Sequence, residues 1–162
     1  MLKKIYIETT IPSFYYNQRP GADMVARMTW TREWWDEHRV AYDVVSSTAV
    51  VNELMREDHP KRAEKLALVA SLTLLEPNEE VEEIVEVYVA RKVMPADPLG
   101  DALHLALASH YGCDILLTWN CVHLANANKF GHIQRVNALL GLPMPWLVTP
   151  LELIEGLEDD EN

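Results

Sequence analysis

The chain has 162 residues, which is the length of one domain with one hydrophobic core. Its formal net charge of −11 opposes binding of nucleic acid over the general surface, so any such binding has to be local. An apolar content of 49% with 24% charged residues excludes a disordered, collagen-like or disulfide-scaffold chain. The two cysteines, Cys113 and Cys121, flank an apolar segment that is expected to be extended. We therefore expect two free thiols, a reducing cytoplasm and no membrane-spanning segment.

The first half of the sequence predicts three strands separated by helices. Residues 3–8 alternate and are rich in β-branched and aromatic side chains, which favours a strand that ends on Glu8. The other elements predicted in this half are a short helix over 13–17, a long helix with a wide apolar stripe over 22–41, a strand over 42–46, helices over 48–56 and 60–70, and a weak strand over 72–75.

The second half predicts two further strands and the most apolar helix of the chain. Its elements are an acidic helix over 79–92, an apolar helix over 99–111, an apolar strand over 114–119, a helical stretch from 121 to about 140 with a break near Gly131, a strand over 146–149 and a terminal helix from Pro150. Alternating strands and helices predict a three-layer α/β fold with a mainly parallel sheet of four to five strands flanked by helices. We expect residues 1–150 to form a single domain, followed by a C-terminal helix and acidic tail over 151–162.

Four polar residues are predicted at the edge of the sheet where ligands of open parallel sheets bind. Glu8 ends the first strand, Glu53 lies on the helix after the second, Asp101 lies in the first turns of the apolar helix, and Asn120 ends the apolar strand. Each also has a structural interpretation, as a boundary carboxylate, a charge at a helix end or a turn residue. Asp101 is the hardest to explain in this way, because its helix offers few solvated directions.

Together these residues point to a metal site. Three carboxylates and an amide at one edge would repel one another strongly unless a divalent cation neutralised them. Oxygen ligands without clustered His or Cys select Mg²⁺ or Mn²⁺ over zinc. Such a cation would let an acidic protein hold a phosphodiester, activate a water and stabilise the charge of in-line displacement.

Four segments carry a resemblance to a known family: IYIETTIPS over 5–13, SST and NEL within 46–54, DALHLA over 101–106, and LTWN over 117–120. Together they resemble the PIN-domain family, and within it the VapC-like toxins of bacterial toxin–antitoxin pairs. The resemblance covers residues 3 to about 150 and is weak over 17–42. It implies a metal-dependent ribonuclease acting on RNA, a partner antitoxin of small size and a homodimer.

By that resemblance Glu8, Glu53 and Asp101 fall on the first three acidic positions of the family, and Asn120 on a fourth that is often acidic. Members commonly carry Asp where this chain has Glu8. The three carboxylates give a charge that one divalent cation nearly balances, so we expect one well-held metal. We expect Glu8 and Asp101 to hold it, Glu53 to bind it through water or act as general base, and Asn120 to orient a water.

Three hydroxyl residues, Thr9, Thr10 and Thr118, are predicted to position water and phosphate beside this site. Asp97 is either a spare carboxylate or a helix cap. The alternative function, kept open by Glu8 and Asn120, is a catalytically weakened PIN-like module that binds RNA or a protein partner without cleavage. A receiver-type signalling domain has the same architecture, but the sequence lacks its acidic pair and a convincing lysine.

Two aromatic features allow both structural and functional interpretations. We expect His104, one turn from Asp101, to be a core histidine with satisfied hydrogen bonds, and contact with substrate or Asp101 is the alternative. Trp30, Trp34 and Trp35 are expected to pack in the core, with a dimer or partner groove as the alternative.

Overall fold

Five parallel strands form one sheet in the order β3-β2-β1-β4-β5. This computed structural model describes residues 1–56, 58, 60–96 and 100–158, with side chains as far as residue 154. The strands are β1 (Lys4–Ile7), β2 (Asp43–Ser47), β3 (Thr73–Leu75), β4 (Ile115–Leu117) and β5 (Trp146–Val148). In the central strand Ile5 pairs with Val44 of β2 on one side and with Ile115 of β4 on the other. The predicted α/β fold with a parallel sheet is confirmed.

Helices flank the sheet and follow the predicted order. They are α1 (Thr10–Tyr15), α2 (Ala22–Glu33), α3 (Thr48–Arg56), α4 (Arg62–Ala70), α5 (Glu79–Ala90), α6 (Gly100–His110), α7 (Ala127–Leu139) and α8 (Pro150–Glu158). The helix α5 packs on α6, and α2 packs between α1 and α8. Because β1 and β4 are covered on both faces, their apolar side chains are almost completely buried, as the continuous apolar sequence of β4 indicated.

The long helix predicted over 22–41 changes its geometry along its length. The α-helix ends at Glu33, a π-helical turn spans Trp34–His38, and a 3-10 turn spans Arg39–Ala41. Trp34 and Trp35 are both buried, with their ring centroids 6.2 Å apart. Two adjacent indoles cannot both face the core of a regular α-helix comfortably, and the wider π turn accommodates them. The expectation that these tryptophans pack in the core is confirmed.

The stretch after β4 differs from the predicted helix. The chain turns over 121–125, α7 begins only at Ala127, and the helix passes through Gly131 without a break. The side-chain oxygen of Asn120 accepts the backbone N–H groups of Val122 and His123, and that of Asn126 accepts the N–H of Asn128. These two Asn-centred turns delay the helix, because they satisfy backbone groups outside helical geometry.

Some predictions concern the cysteines and the ends of the chain. Cys113 is buried and Cys121 is exposed, and both are free thiols, as predicted. The helix α8 starts at Pro150 and packs on α2, whereas the acidic residues 159–162 lie outside the described residues. In the described part of the chain, the helices are too short or too polar to cross a membrane.

Candidate active site

The carboxyl edge of the sheet carries the predicted acidic residues in the region of one buried histidine, His104. Glu8 directly follows β1, Glu53 lies on α3 and Asp101 lies in the first turn of α6. The charges of all three carboxylates act on the ring of His104, which is 2% exposed. The fold therefore gathers Glu8, Glu53 and Asp101 in one region, as parallel strands that end at one edge predict.

Glu8 is the most deeply buried of the three carboxylates, with 3% exposure. Its Oε1 accepts a hydrogen bond from the backbone N–H of Thr10 at 2.9 Å and another from the Thr10 hydroxyl. The Thr118 hydroxyl also hydrogen-bonds this carboxyl group. Burial nevertheless raises the pKa of Glu8 to about 7, since the hydrogen bonds and the nearby His104 compensate only part of the cost of desolvation.

Both carboxylate oxygens of Glu53 are already hydrogen-bonded. Oε1 lies 2.8 Å from Nε2 of His104, and Oε2 accepts the hydroxyl of Thr9. Burial raises the pKa of Glu53, but the hydrogen bond and charge of His104, with help from Thr9, outweigh it and leave the pKa below its ordinary value. Glu53 is therefore held in its ionised form with a fixed orientation.

His104 connects this carboxylate to the interior of the sheet. Its Nδ1 lies 2.7 Å from the hydroxyl of Tyr6 on β1, which lies 2.7 Å from the hydroxyl of Ser47. Burial lowers the pKa of His104, but the hydrogen bond and charge of Glu53, with the charges of Glu8 and Asp101, reverse the shift and raise it. In the protonated form that these charges favour, the imidazole donates from both nitrogens, so that Tyr6 accepts from Nδ1 and donates to Ser47.

The predicted core role of His104 is thus confirmed, but its bond to Glu53 was not predicted. The sequence contains only a weak signal for this hydrogen bond. His104 lies on α6 one turn after Asp101, and Tyr6 is an inward-facing residue of the central strand. Only the packing of α6 and α3 against this strand brings the imidazole between Tyr6 and Glu53.

Asn120 forms a hydrogen bond with Asp101. Its Nδ2 donates to Oδ1 of Asp101 at 3.0 Å, whereas its Oδ1 accepts the N–H groups of Val122 and His123. Because the amide oxygen already serves two backbone groups, Asn120 is placed to orient Asp101 rather than a water. Asp101 also lies near Lys129, whose pKa is lowered by burial and raised again by this carboxylate. Asp97 lies outside the described residues.

The three threonines predicted to position substrate all hydrogen-bond groups of the site. Thr9 donates to Glu53, and Thr10 donates to Glu8 while its oxygen accepts the backbone N–H of Trp119 at 2.8 Å. The Thr118 oxygen accepts the backbone N–H of Asn120 at 2.9 Å. Their observed partners are therefore protein groups that fix the carboxylates and the turn after β4.

The donor set fits a hard divalent cation that keeps part of its water shell. Among the described residues, the only three ligand atoms of His, Cys, Asp or Glu within 4.8 Å of one another belong to Glu33 at the end of α2 and to Glu37 and His38 on the π turn. Glu8, Glu53 and Asp101 are thus not drawn into one closed ligand sphere. Mg²⁺ is typically bound by one or two carboxylates plus waters, so it does not require a closed sphere of all three carboxylates.

Replacing Asn120 with Asp is expected to destabilise the metal-free protein by about 1–2 kcal/mol at pH 8, because a donor to Asp101 becomes a like charge. The cost should be smaller at pH 5, since repulsion between two neighbouring carboxylates favours a shared proton as the pH falls. Urea unfolding in a chelator at both pH values measures it. Asn128→Asp, an exposed change in the first turn of α7, is the control and should shift stability by less than about 0.5 kcal/mol. A pH-independent cost for Asn120→Asp would contradict the proximity of the two groups.

Comparison with known proteins adds evidence on the fold. The sequence matches no protein-family model and no curated protein. The crystal structure of FitAcB from Neisseria gonorrhoeae is similar, with 18% identity and a TM-score of 0.51 over 91% of this chain and 98% of that chain. VapBC2 from Rickettsia felis, bound to a DNA fragment from its promoter, aligns with 15% identity and a TM-score of 0.48 over 74% of this chain and 89% of that chain. The likeness to FitAcB supports the three-layer architecture.

Proposed function

We propose that this protein is an Mg²⁺- or Mn²⁺-dependent endoribonuclease that hydrolyses RNA phosphodiesters. The observation that carries the proposal is the placement of Glu8, Glu53 and Asp101 at the carboxyl edge of the parallel sheet, where Glu53 binds His104 and Asp101 binds Asn120. Oxygen donors of this kind suit a hard cation, and no nucleophilic side chain is required. The raised pKa of Glu8 supports the proposal, because a buried carboxylate of this kind is stabilised in its charged form by a cation.

Each residue then has a distinct role. Glu8 and Asp101 would hold the cation directly, with Thr10 fixing the first carboxylate and Asn120 fixing the second. Glu53, whose oxygens are engaged by His104 and Thr9, would bind the cation through water or accept a proton from the attacking water. A cation held there would supply Lewis-acid stabilisation of the negative charge that develops on the phosphate.

A toxin role follows from the resemblance to VapC-like proteins, and the fold shared with FitAcB supports it. A small antitoxin would be the protein partner, RNA the substrate, and a homodimer in the cytoplasm the working form. The competing proposal, a PIN-like module that binds without cutting, is favoured by one observation: the amide of Asn120 occupies a position that is often acidic, and its oxygen is committed to the backbone.

Cleavage of unstructured RNA is expected to require added Mn²⁺ or Mg²⁺ and to stop when a chelator is added. A 5′-labelled single-stranded oligoribonucleotide, incubated with purified protein and resolved on a denaturing gel, measures this. The same oligonucleotide as DNA is the specificity control. RNA that stays intact with both cations while the protein binds it would favour the non-cutting module.

A further inference from the structure

Two arginines and three aromatic rings pack together near the carboxylates, on α1, α2, the segment between these helices and the turn after β4. The guanidinium of Arg27 lies over the rings of Phe14 and Trp119, 5.6 Å and 5.3 Å from their centroids. Arg19 lies over Phe14 at 5.4 Å, and Trp30 stacks on Trp119 with centroids 6.1 Å apart at an angle of 27°. We call this group of five residues the Arg-aromatic surface.

The cations of this surface have no acidic partner among the described residues. Neither Arg19 nor Arg27 forms an ion pair there, and both stack on rings instead. Lys65 on α4 feels the charge of Arg19, but it is buried and does not join this surface. In a chain with a net charge of −11, unpaired cations held in place on aromatic rings form a local site for an anion.

Trp119 connects the Arg-aromatic surface to the carboxylates. Its backbone N–H donates to Thr10, which holds Glu8, and its indole N–H donates to Thr31 of α2 at 2.7 Å. The next residue, Asn120, donates to Asp101. Trp119, on which Arg27 stacks, is thus linked to Glu8 by two successive hydrogen bonds through Thr10.

We propose that the Arg-aromatic surface binds the single-stranded RNA segment next to the phosphate that is cleaved. This inference rests on the proposed function and assigns its substrate-binding surface. Phe14 and Trp119 are buried, so they hold the guanidinium groups in place rather than contact a base. Bases would stack on the guanidinium planes and on the partly exposed ring of Trp30, while the charges of Arg19 and Arg27 bind phosphates. An acidic protein segment would use the charges but has no need of planar groups such as the stacked Arg27 and Trp30.

Fluorescence anisotropy of a labelled single-stranded oligoribonucleotide in a chelator tests the surface without cleavage. Arg27→Gln and the exposed Arg19→Gln are each expected to weaken binding about 10-fold and to lower the slope of log Kd against log salt by about 0.7 per lost phosphate contact. Arg27→Lys keeps the charge without the plane and should bind with intermediate affinity. Arg135→Gln, an exposed change on α7 with the same loss of charge, is the control and should bind like wild type.

Each outcome decides for or against the surface. Equal binding by all the variants, equal weakening of all of them including Arg135→Gln, or no RNA binding by wild type would overturn it. Tighter binding of labelled polyglutamate than of RNA, lost in the same arginine variants, would assign the surface to an acidic protein segment instead. Cleavage in Mn²⁺ is scored separately. If wild type binds RNA through Arg27 but does not cleave it, the binding surface is supported and the nuclease function is refuted. If wild type cleaves RNA but Arg27→Gln binds equally well, the nuclease function is supported and the binding surface is refuted.

Discussion

Asp101→Asn is expected to slow metal-dependent RNA cleavage about 1,000-fold without disturbing the fold. Asparagine keeps an oxygen that accepts the Nδ2 hydrogen bond of Asn120, so the side chain keeps its place. It loses the negative charge that a hard cation requires, and Lewis-acid stabilisation amounts to several kcal/mol, at about 1.36 kcal/mol for each tenfold change in rate. Single-turnover cleavage in Mn²⁺ measures the rate, and thermal unfolding in a chelator verifies the fold.

Asp114→Asn is the matched control for this change. Asp114 precedes β4 at the opposite end of the sheet, is exposed, and accepts the backbone N–H of Lys4 at 2.8 Å. Its replacement removes the same charge from an aspartate that is also hydrogen-bonded, so cleavage should remain near the wild-type rate. Equal traces of cleavage by wild type and Asp101→Asn would mean a contaminating nuclease.

In cells, expression of wild type should arrest growth, whereas expression of Asp101→Asn should not.

The sheet could be predicted because its signals are local. The alternation of residues 3–8 and the apolar run that contains β4 each describe a buried strand, and the structure places both strands at the centre of the sheet. The predicted helix over 48–56 has the observed bounds, since Ser47 caps it by accepting the N–H of Val50. The π turn after Glu33 could not be predicted, because it arises from the way two adjacent tryptophans fit the core.

The sequence was sufficient to predict which residues lie at the candidate site, but not which groups they hydrogen-bond. Parallel topology is sufficient to bring Glu8, Glu53 and Asp101 to one edge. The partners of these carboxylates depend on how three helices pack, and no spacing in the sequence indicates that His104 binds Glu53. The role of Asn120 could not be foreseen for the same reason, since its amide orientation is fixed by the turn over 121–125.

His104→Leu is expected to lower the free energy of unfolding by about 3 kcal/mol at pH 6. Leucine fills similar space but leaves the hydroxyl of Tyr6 and the carboxylate of Glu53 without the imidazole. The cost stays below that of a fully buried ion pair, because the Glu53 side chain is 29% exposed and keeps Thr9 as a partner. Urea unfolding in a chelator measures it. His110→Leu, which removes a partly buried histidine whose Nε2 lies 3.5 Å from the exposed carboxylate of Glu80, should cost less than about 1 kcal/mol.

The cost of His104→Leu should depend on pH. The pKa of His104 is raised in the folded state, so its stabilisation is complete below its ordinary pKa of 6.5 and is lost as the pH rises through the folded value. The pKa of Glu53 is lowered, so the contribution of its carboxylate is present above the ordinary pKa of 4.5 and is lost as the pH falls through the folded value. The difference between wild type and His104→Leu should therefore be largest near pH 6 and smaller near pH 9. A constant difference over this range would contradict an imidazolium in the folded protein.

A double-mutant cycle with Tyr6→Phe separates the hydrogen bond from packing. Tyr6→Phe alone keeps the ring but leaves Nδ1 of His104 and the hydroxyl of Ser47 without the Tyr6 oxygen, at an expected cost of about 1–2 kcal/mol. In the double variant both partners of the bond between Tyr6 and His104 are apolar, so the combined cost should be smaller than the sum of the single costs by about 1 kcal/mol. Additive costs would mean that this bond contributes nothing and that His104 stabilises the fold through Glu53 alone.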